Sequence, residues 1–210
     1  MQREQMSPGD GALSGLGRSV DTNDGLPLDG EYVVECRDKD GNLRWSDTIK
    51  NVVCTEGKNA LLTHALKGSS YTSVLYMGLI ESTGYGYAGA NGSGVAATNL
   101  ASAITAAGGA SPANGWNEAT SSMCAARGTP TFGSASGGSI SLSSAQSFSI
   151  LAAATIKGCF ILMKSAGAVS PTSTVGNTSG ALLSAGLFTN GDKVVSSGDT
   201  LSVSYTLNAN

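Results

Sequence analysis

Charged side chains are scarce over most of this chain. Of its 27 charged residues, 18 lie in residues 1–58, and the other 152 residues carry only nine. Enzyme active sites usually bring together titratable groups whose pKa values are shifted by their surroundings. Because the long C-terminal part has few such groups, its composition argues against an enzyme and favours a structural protein.

Other features are missing as well. Aromatic residues make up only 6% of the chain, so the core must be aliphatic and rich in alanine. The formal net charge is -3 and no cluster of Lys and Arg occurs, which excludes the basic surface that nucleic-acid binding needs. The longest apolar runs are too short to cross a bilayer, and residues 1–10 lack the apolar stretch of a signal peptide. We therefore expect a soluble protein made in a cytoplasm, with neither a nucleic-acid nor a membrane partner.

Histidine and cysteine, the residues that serve in catalytic triads and as zinc ligands, are also few. His64 is the single histidine, and it falls beside leucines in a predicted helix. The four cysteines are dispersed without C-x-x-C spacing, and in a reducing compartment we expect them to be buried thiols. We predict that the protein has no catalytic residue, no metal site and no cofactor.

Two groups of acidic residues partly resemble known kinds of functional site. The segment that begins at Asp38 and Asp40 resembles the start of a calcium loop, but its twelfth position is Ile49 instead of Glu, so a hairpin turn is favoured. Glu81 and Glu118 are the only acids between residues 57 and 191. They are the one available pair for glycoside hydrolysis, and no other sequence feature supports that role.

The patterning is that of short strands joined by turns. Alternation over residues 31–37, a turn at 38–41 and a second alternating run predict a β-hairpin. Thr55 is a suitable N-cap for a helix over residues 56–67. The apolar stripe of this helix comprises Leu61, Leu62, Ala65 and Leu66.

Most of the remaining chain is predicted to be β-structure. Residues 96–107 are a candidate for a second, weak helix. Strands are predicted at 73–81, 139–142, 147–151, 155–163, 181–188, 193–195 and 200–207. Short strands at this spacing, together with one clear helix, predict a mainly β fold: an antiparallel β-sandwich or barrel.

Residues 1–30 are predicted to be an extended N-terminal arm, and residues 31–210 the β-sandwich body. Burying the six large apolar side chains of the arm yields about 9–18 kcal/mol. Fixing its thirty residues costs on the order of 30–60 kcal/mol of backbone entropy, so the arm cannot order by itself. We expect it to lie on another molecule. Its candidate partner-binding residues are Leu13, Leu16, Leu26 and Leu28.

An ordered series of short segments carries a resemblance to known proteins. The segments are 51–62 (NVVCTEGKNALL), 76–80 (YMGLI), 115–118 (GWNE), 127–130 (RGTP), 157–160 (KGCF), 182–188 (LLSAGLF) and 198–207 (GDTLSVSYTL). In this order they resemble a family of small virion structural proteins of tailed bacteriophages. The resemblance implies a non-enzymatic virion component, either on the capsid exterior or in the tail.

Two functions are consistent with the arm and with this resemblance. The first is a capsid decoration or cement protein that attaches through its arm to the major capsid protein, to another virion protein or to a sister subunit in a homo-oligomer. The alternative is a tail or head-fibre module that binds a host surface receptor or glycan. Its binding tip would comprise the loops at 82–95 and 164–180, with Tyr85 and Tyr87 exposed for stacking. An enzyme acting on cell-wall polymer is the third and least favoured possibility.

Overall fold

The computed structural model describes residues 27–67, 74–82, 104–105, 116–119 and 123–209. Within them the chain forms eleven strands and one helix. In chain order these are β1 (Leu28–Arg37), β2 (Leu43–Val52), α1 (Thr55–Leu66), β3 (Tyr76–Glu81), β4 (Ile104–Thr105), β5 (Trp116–Asn117), β6 (Ser139–Ser141), β7 (Gln146–Ser149), β8 (Ala154–Met163), β9 (Ala181–Leu187), β10 (Lys193–Val195) and β11 (Thr200–Ala209).

Two antiparallel sheets contain nine of these strands. In the first sheet β1 lies between β2 and β11, and the other edge of β11 pairs with β6 and β7. In the second sheet β8 has β3 on one edge and β9 and β10 on the other. The main core contains Tyr32, Val203 and Ile49 from the first sheet and Met77 and Ile161 from the second. The predicted mainly β, antiparallel sandwich with one helix is confirmed.

The predicted hairpin is formed by β1 and β2. Its turn is closed because Asp38 accepts hydrogen bonds at 2.9 Å from the backbone N–H groups of Asp40 and Asn42. Gly41 has a φ of 86°, a conformation that glycine adopts without strain. Strand β1 begins at Leu28, so residues 28–30, which the sequence places in the arm, already belong to the central strand of the first sheet.

The second sheet is buried on both faces, which explains its long apolar runs. Every residue of β9 is buried, as are the last six of β8. On the face opposite the main core, Trp116, Phe160 and Leu162 form a second apolar cluster. A strand that is covered on both sides has no need of polar alternation.

The helix packs closely against β9 through small residues. Its N-cap is Cys54 and not the predicted Thr55, because the Cys54 N–H still bonds to the Leu183 carbonyl at 2.9 Å and keeps the chain extended up to that point. Gly57 and Ala60 are the buried residues of α1. A Cβ atom on Gly57 would lie 2.6 Å from the Leu183 Cα atom, so only glycine allows this approach.

The apolar stripe predicted for the helix is only partly buried. Leu61 packs against the main core. Leu62 is 55% exposed and Leu66 is 78% exposed. Of the weak helix suggested at residues 96–107, only Ile104 and Thr105 lie within the described residues, and they form β4. Among the described residues, no helix has the length and apolar character that a membrane span requires.

Replacing Gly57 by Ala tests the close packing of the helix. Glycine to alanine in an exposed helix interior stabilises by about 1 kcal/mol. Here the new methyl group collides with the backbone of β9, so we expect a destabilisation of about 1–3 kcal/mol by denaturant unfolding. Gly167→Ala is the matched control, because its Cβ would meet nothing closer than 3.8 Å. A Gly57→Ala protein at least as stable as the parent would contradict this packing.

Candidate functional site

Among the described residues, Glu118 and Arg127 form an ion pair that is almost completely buried. The Arg127 guanidinium donates from Nε to Glu118 Oε1 at 2.7 Å and from Nη2 to Glu118 Oε2 at 2.6 Å, and both side chains are at most 1% exposed. The Gly176 N–H also donates to Glu118 Oε2, at 2.6 Å. Glu118 follows β5 and forms a bridge with Ile80 of β3, so the pair lies where the second sheet meets the loop at 164–180.

This pair holds the 164–180 loop against the body. Arg127 donates to the carbonyl oxygens of Thr172 at 3.1 Å and Asn177 at 2.8 Å, and its guanidinium lies 5.7 Å from the centre of the Phe160 ring. Both carboxylate oxygens of Glu118 are engaged in these contacts, so this group is placed to organise the loop. Glu81, the other acid considered from the sequence, is the last residue of β3.

Three further ion pairs fix turns and strand ends. Arg44 pairs with Asp199, which also accepts a hydrogen bond from the Ser196 N–H at 2.8 Å. Lys193 pairs with the buried Asp47 at 2.9 Å. The third pair joins Lys157 and Asp192 at 2.8 Å. Over the described ranges, no group of three or more His, Cys, Asp or Glu residues is arranged to hold a metal ion.

The histidine and the cysteines are used in packing. His64 Nε2 donates to the Lys164 carbonyl at 3.1 Å, which joins α1 to the end of β8. All four cysteines are buried free thiols. Burial, followed by the Asp199 carboxylate, raises the pKa of Cys36 to about 11, and burial followed by Glu56 raises the pKa of Cys54 to about 12. Thiols that remain protonated at neutral pH are poor nucleophiles.

One surface carries an exposed apolar groove. We call it the leucine patch, and it comprises Leu28, Leu61, Leu62, Ala65 and Leu66. These residues line a groove of about 410 Å³ between the start of β1 and the outward face of α1. Lys58 is the one charged residue among the described residues that line the groove. Contiguous exposed apolar surface of this kind marks an interaction site more often than scattered single residues do.

The structure brings one predicted site residue into this patch. Leu28 is half-buried and lies at the point where residues 1–26 join the body. The other predicted site residues lie outside the described residues: Leu13, Leu16, Leu26, Tyr85 and Tyr87. The helix residues of the patch, Leu61, Leu62, Ala65 and Leu66, are those that the sequence predicted as the apolar stripe of α1 and did not consider as a binding surface.

No protein-family model matches this chain, and neither a curated protein nor a solved structure is similar to it.

Glu118→Gln tests the buried ion pair. The change leaves the Arg127 charge buried without its counter-ion, and we expect a loss of about 3–5 kcal/mol in the free energy of unfolding. Replacing both partners, as in Glu118→Leu with Arg127→Met, should cost less than either single change. Asp40→Asn removes an exposed pair with Lys39 and should change stability little. Equal effects of Glu118→Gln and Asp40→Asn would contradict the assigned role.

The raised thiol pKa values predict a loss of stability at alkaline pH. In the unfolded chain these thiols ionise near their ordinary pKa of 9.0, whereas in the folded protein Cys36 ionises at about 11. The stabilisation is therefore complete below pH 9 and is lost as the pH rises through the folded value. Denaturant unfolding under reducing conditions measures this decline. Cys36→Ser removes a titrating group near Asp199 and should flatten the decline, and a constant stability up to about pH 11 would contradict the prediction.

Proposed function

We propose that this protein is a structural virion component of a tailed bacteriophage, a capsid decoration or cement protein that attaches through its N-terminal arm. The observation that carries the proposal is the place where the arm joins the body. Residues 1–26 lead into β1, the strand that pairs with β11 from Leu28 to Arg37 and with β2 from Asp29 to Arg37. Tension along the arm is thus resisted by hydrogen bonds on both edges of a central strand.

The charge arrangement supports a structural role. The buried Glu118–Arg127 pair and the Lys193–Asp47 pair hold loops and turns in place. They add rigidity to a body that must keep its shape while the arm is bound elsewhere. A shell presents many copies of the same binding surface, so weak contacts made by each arm add up across it.

The proposed partners are the major capsid protein or another virion protein, and further copies of this chain. In this proposal the protein is made in the host cytoplasm, acts in the virion and needs no cofactor. It binds neither nucleic acid nor a membrane.

Deleting residues 2–26 tests attachment through the arm. The deletion ends before β1, so we expect the body to keep the unfolding midpoint of the full chain. Its occupancy on purified phage particles should fall at least about tenfold, because each 1.4 kcal/mol of lost contact weakens binding tenfold. Occupancy is measured by quantitative mass spectrometry of sedimented particles. A full-length variant with Leu13, Leu16 and Leu26 changed to Ser keeps the backbone of the arm. Its occupancy shows how much of the attachment depends on the three apolar side chains.

Two outcomes would contradict the proposal. A truncated chain that decorates particles as well as the full chain would show that the body alone attaches. Absence of the full chain from purified particles would remove the virion role altogether. A few copies per particle, located only at the tail or on head fibres, would favour the fibre module instead.

A further inference from the structure

The size of the leucine patch indicates a short occupant. Helix α1 has twelve residues and is therefore about 18 Å long. A stable globular partner buries roughly 800 Å² on each side. The patch is one face of this short helix with Leu28 beside it, so it suits a segment with a few apolar side chains better than a whole folded surface.

The N-terminal arm has the chemistry to fill the patch. Its candidate anchors Leu13, Leu16 and Leu26 are apolar, as is the lining of the groove. Residues 1–26 contain two Lys or Arg and four Asp or Glu, so the arm has a side-chain charge of −2. Among the described residues that line the groove, the charged one is Lys58, whose positive charge complements the arm.

The length of the arm favours the patch of another copy. Leu13 precedes Leu28 by fifteen residues, which reach about 50 Å when extended. Strand β1, with ten residues, spans about 33 Å of the body. The patch of the same chain contains Leu28, so an arm that folded back onto it would need far fewer than these fifteen residues. The surplus length is sufficient to reach a neighbouring molecule.

We propose that residues 13–16 of one copy bind the leucine patch of a neighbouring copy, while residues 17–26 span the distance between the two, so that arms link successive subunits. This inference rests on the proposed assembly of many copies in a virion, and it names the site on the body that receives the arm. The apolar contacts involve Leu62 and Leu66, the most exposed leucines of α1. The same arm can link copies to one another while other residues of it contact the capsid.

Disulfide trapping between two variants tests this inference on the isolated protein. One variant is Leu16→Cys and the other is Leu62→Cys, mixed at about 1 mM, the range of effective concentrations produced by short tethers. After mild oxidation with copper phenanthroline, mass spectrometry of the cleaved protein identifies the linked residues. Background from the four natural cysteines should be low because all of them are buried.

A matched control uses another exposed leucine. Leu43 is 52% exposed, close to the 55% of Leu62, and it lies at the start of β2. We expect linkage from position 16 to position 62 to exceed linkage from 16 to 43 at least about tenfold, because a disulfide forms only where the Cα atoms approach within about 7 Å. Adding Leu66→Ser to the Leu62→Cys partner should reduce the linkage.

Four results would overturn the inference. Equal linkage to positions 62 and 43 would show chance collision, and no linkage would show that the arm does not bind the patch. Disulfides formed only within single chains of a Leu16→Cys, Leu62→Cys double variant would show that the patch binds the arm of its own chain. Predominant 62-to-62 dimers would show that it binds α1 of a second copy. None of these results bears on attachment to the capsid, which the truncation experiment on particles measures separately.

Discussion

The contact between α1 and β9 determines which face of the helix is left for a partner. Strand β9 is buried along its whole length, and α1 packs directly against it. Gly57 has no side chain, which allows the helix backbone to lie against Leu183. Once the small residues face the sheet, Leu62 and Leu66 must point away from it. The exposed apolar groove is thus a direct result of how the helix packs.

Local patterns in the sequence predicted most of the elements. Alternation and turn residues located the β1–β2 hairpin, and the later strands lie close to the predicted runs. These signals act over a few residues, which is why they can be recognised without tertiary information. The helix face could not be predicted in this way. Leucines at helical spacing usually indicate the core side, but here the close approach of β9 favours Gly57 and Ala60 instead.

The buried ion pair shows a second limit of sequence reasoning. Glu118 and Arg127 lie in two of the short segments singled out in the sequence, GWNE and RGTP, and they are nine residues apart. Neither segment alone reveals that the two side chains bond to each other and to the loop at 164–180. The available signal was that residues 59–210 carry only nine charged side chains. A charged residue in such a region usually has a buried partner of opposite charge.

The enclosure of the four thiols has a consequence for where such a protein can function. In the proposed virion role the protein folds in a reducing cell and later encounters air and oxidants outside it. Oxidation proceeds through accessible thiolate, and all four thiols are buried, with pKa values raised by burial. Burial thus protects the same four sulfur atoms from oxidation in both settings.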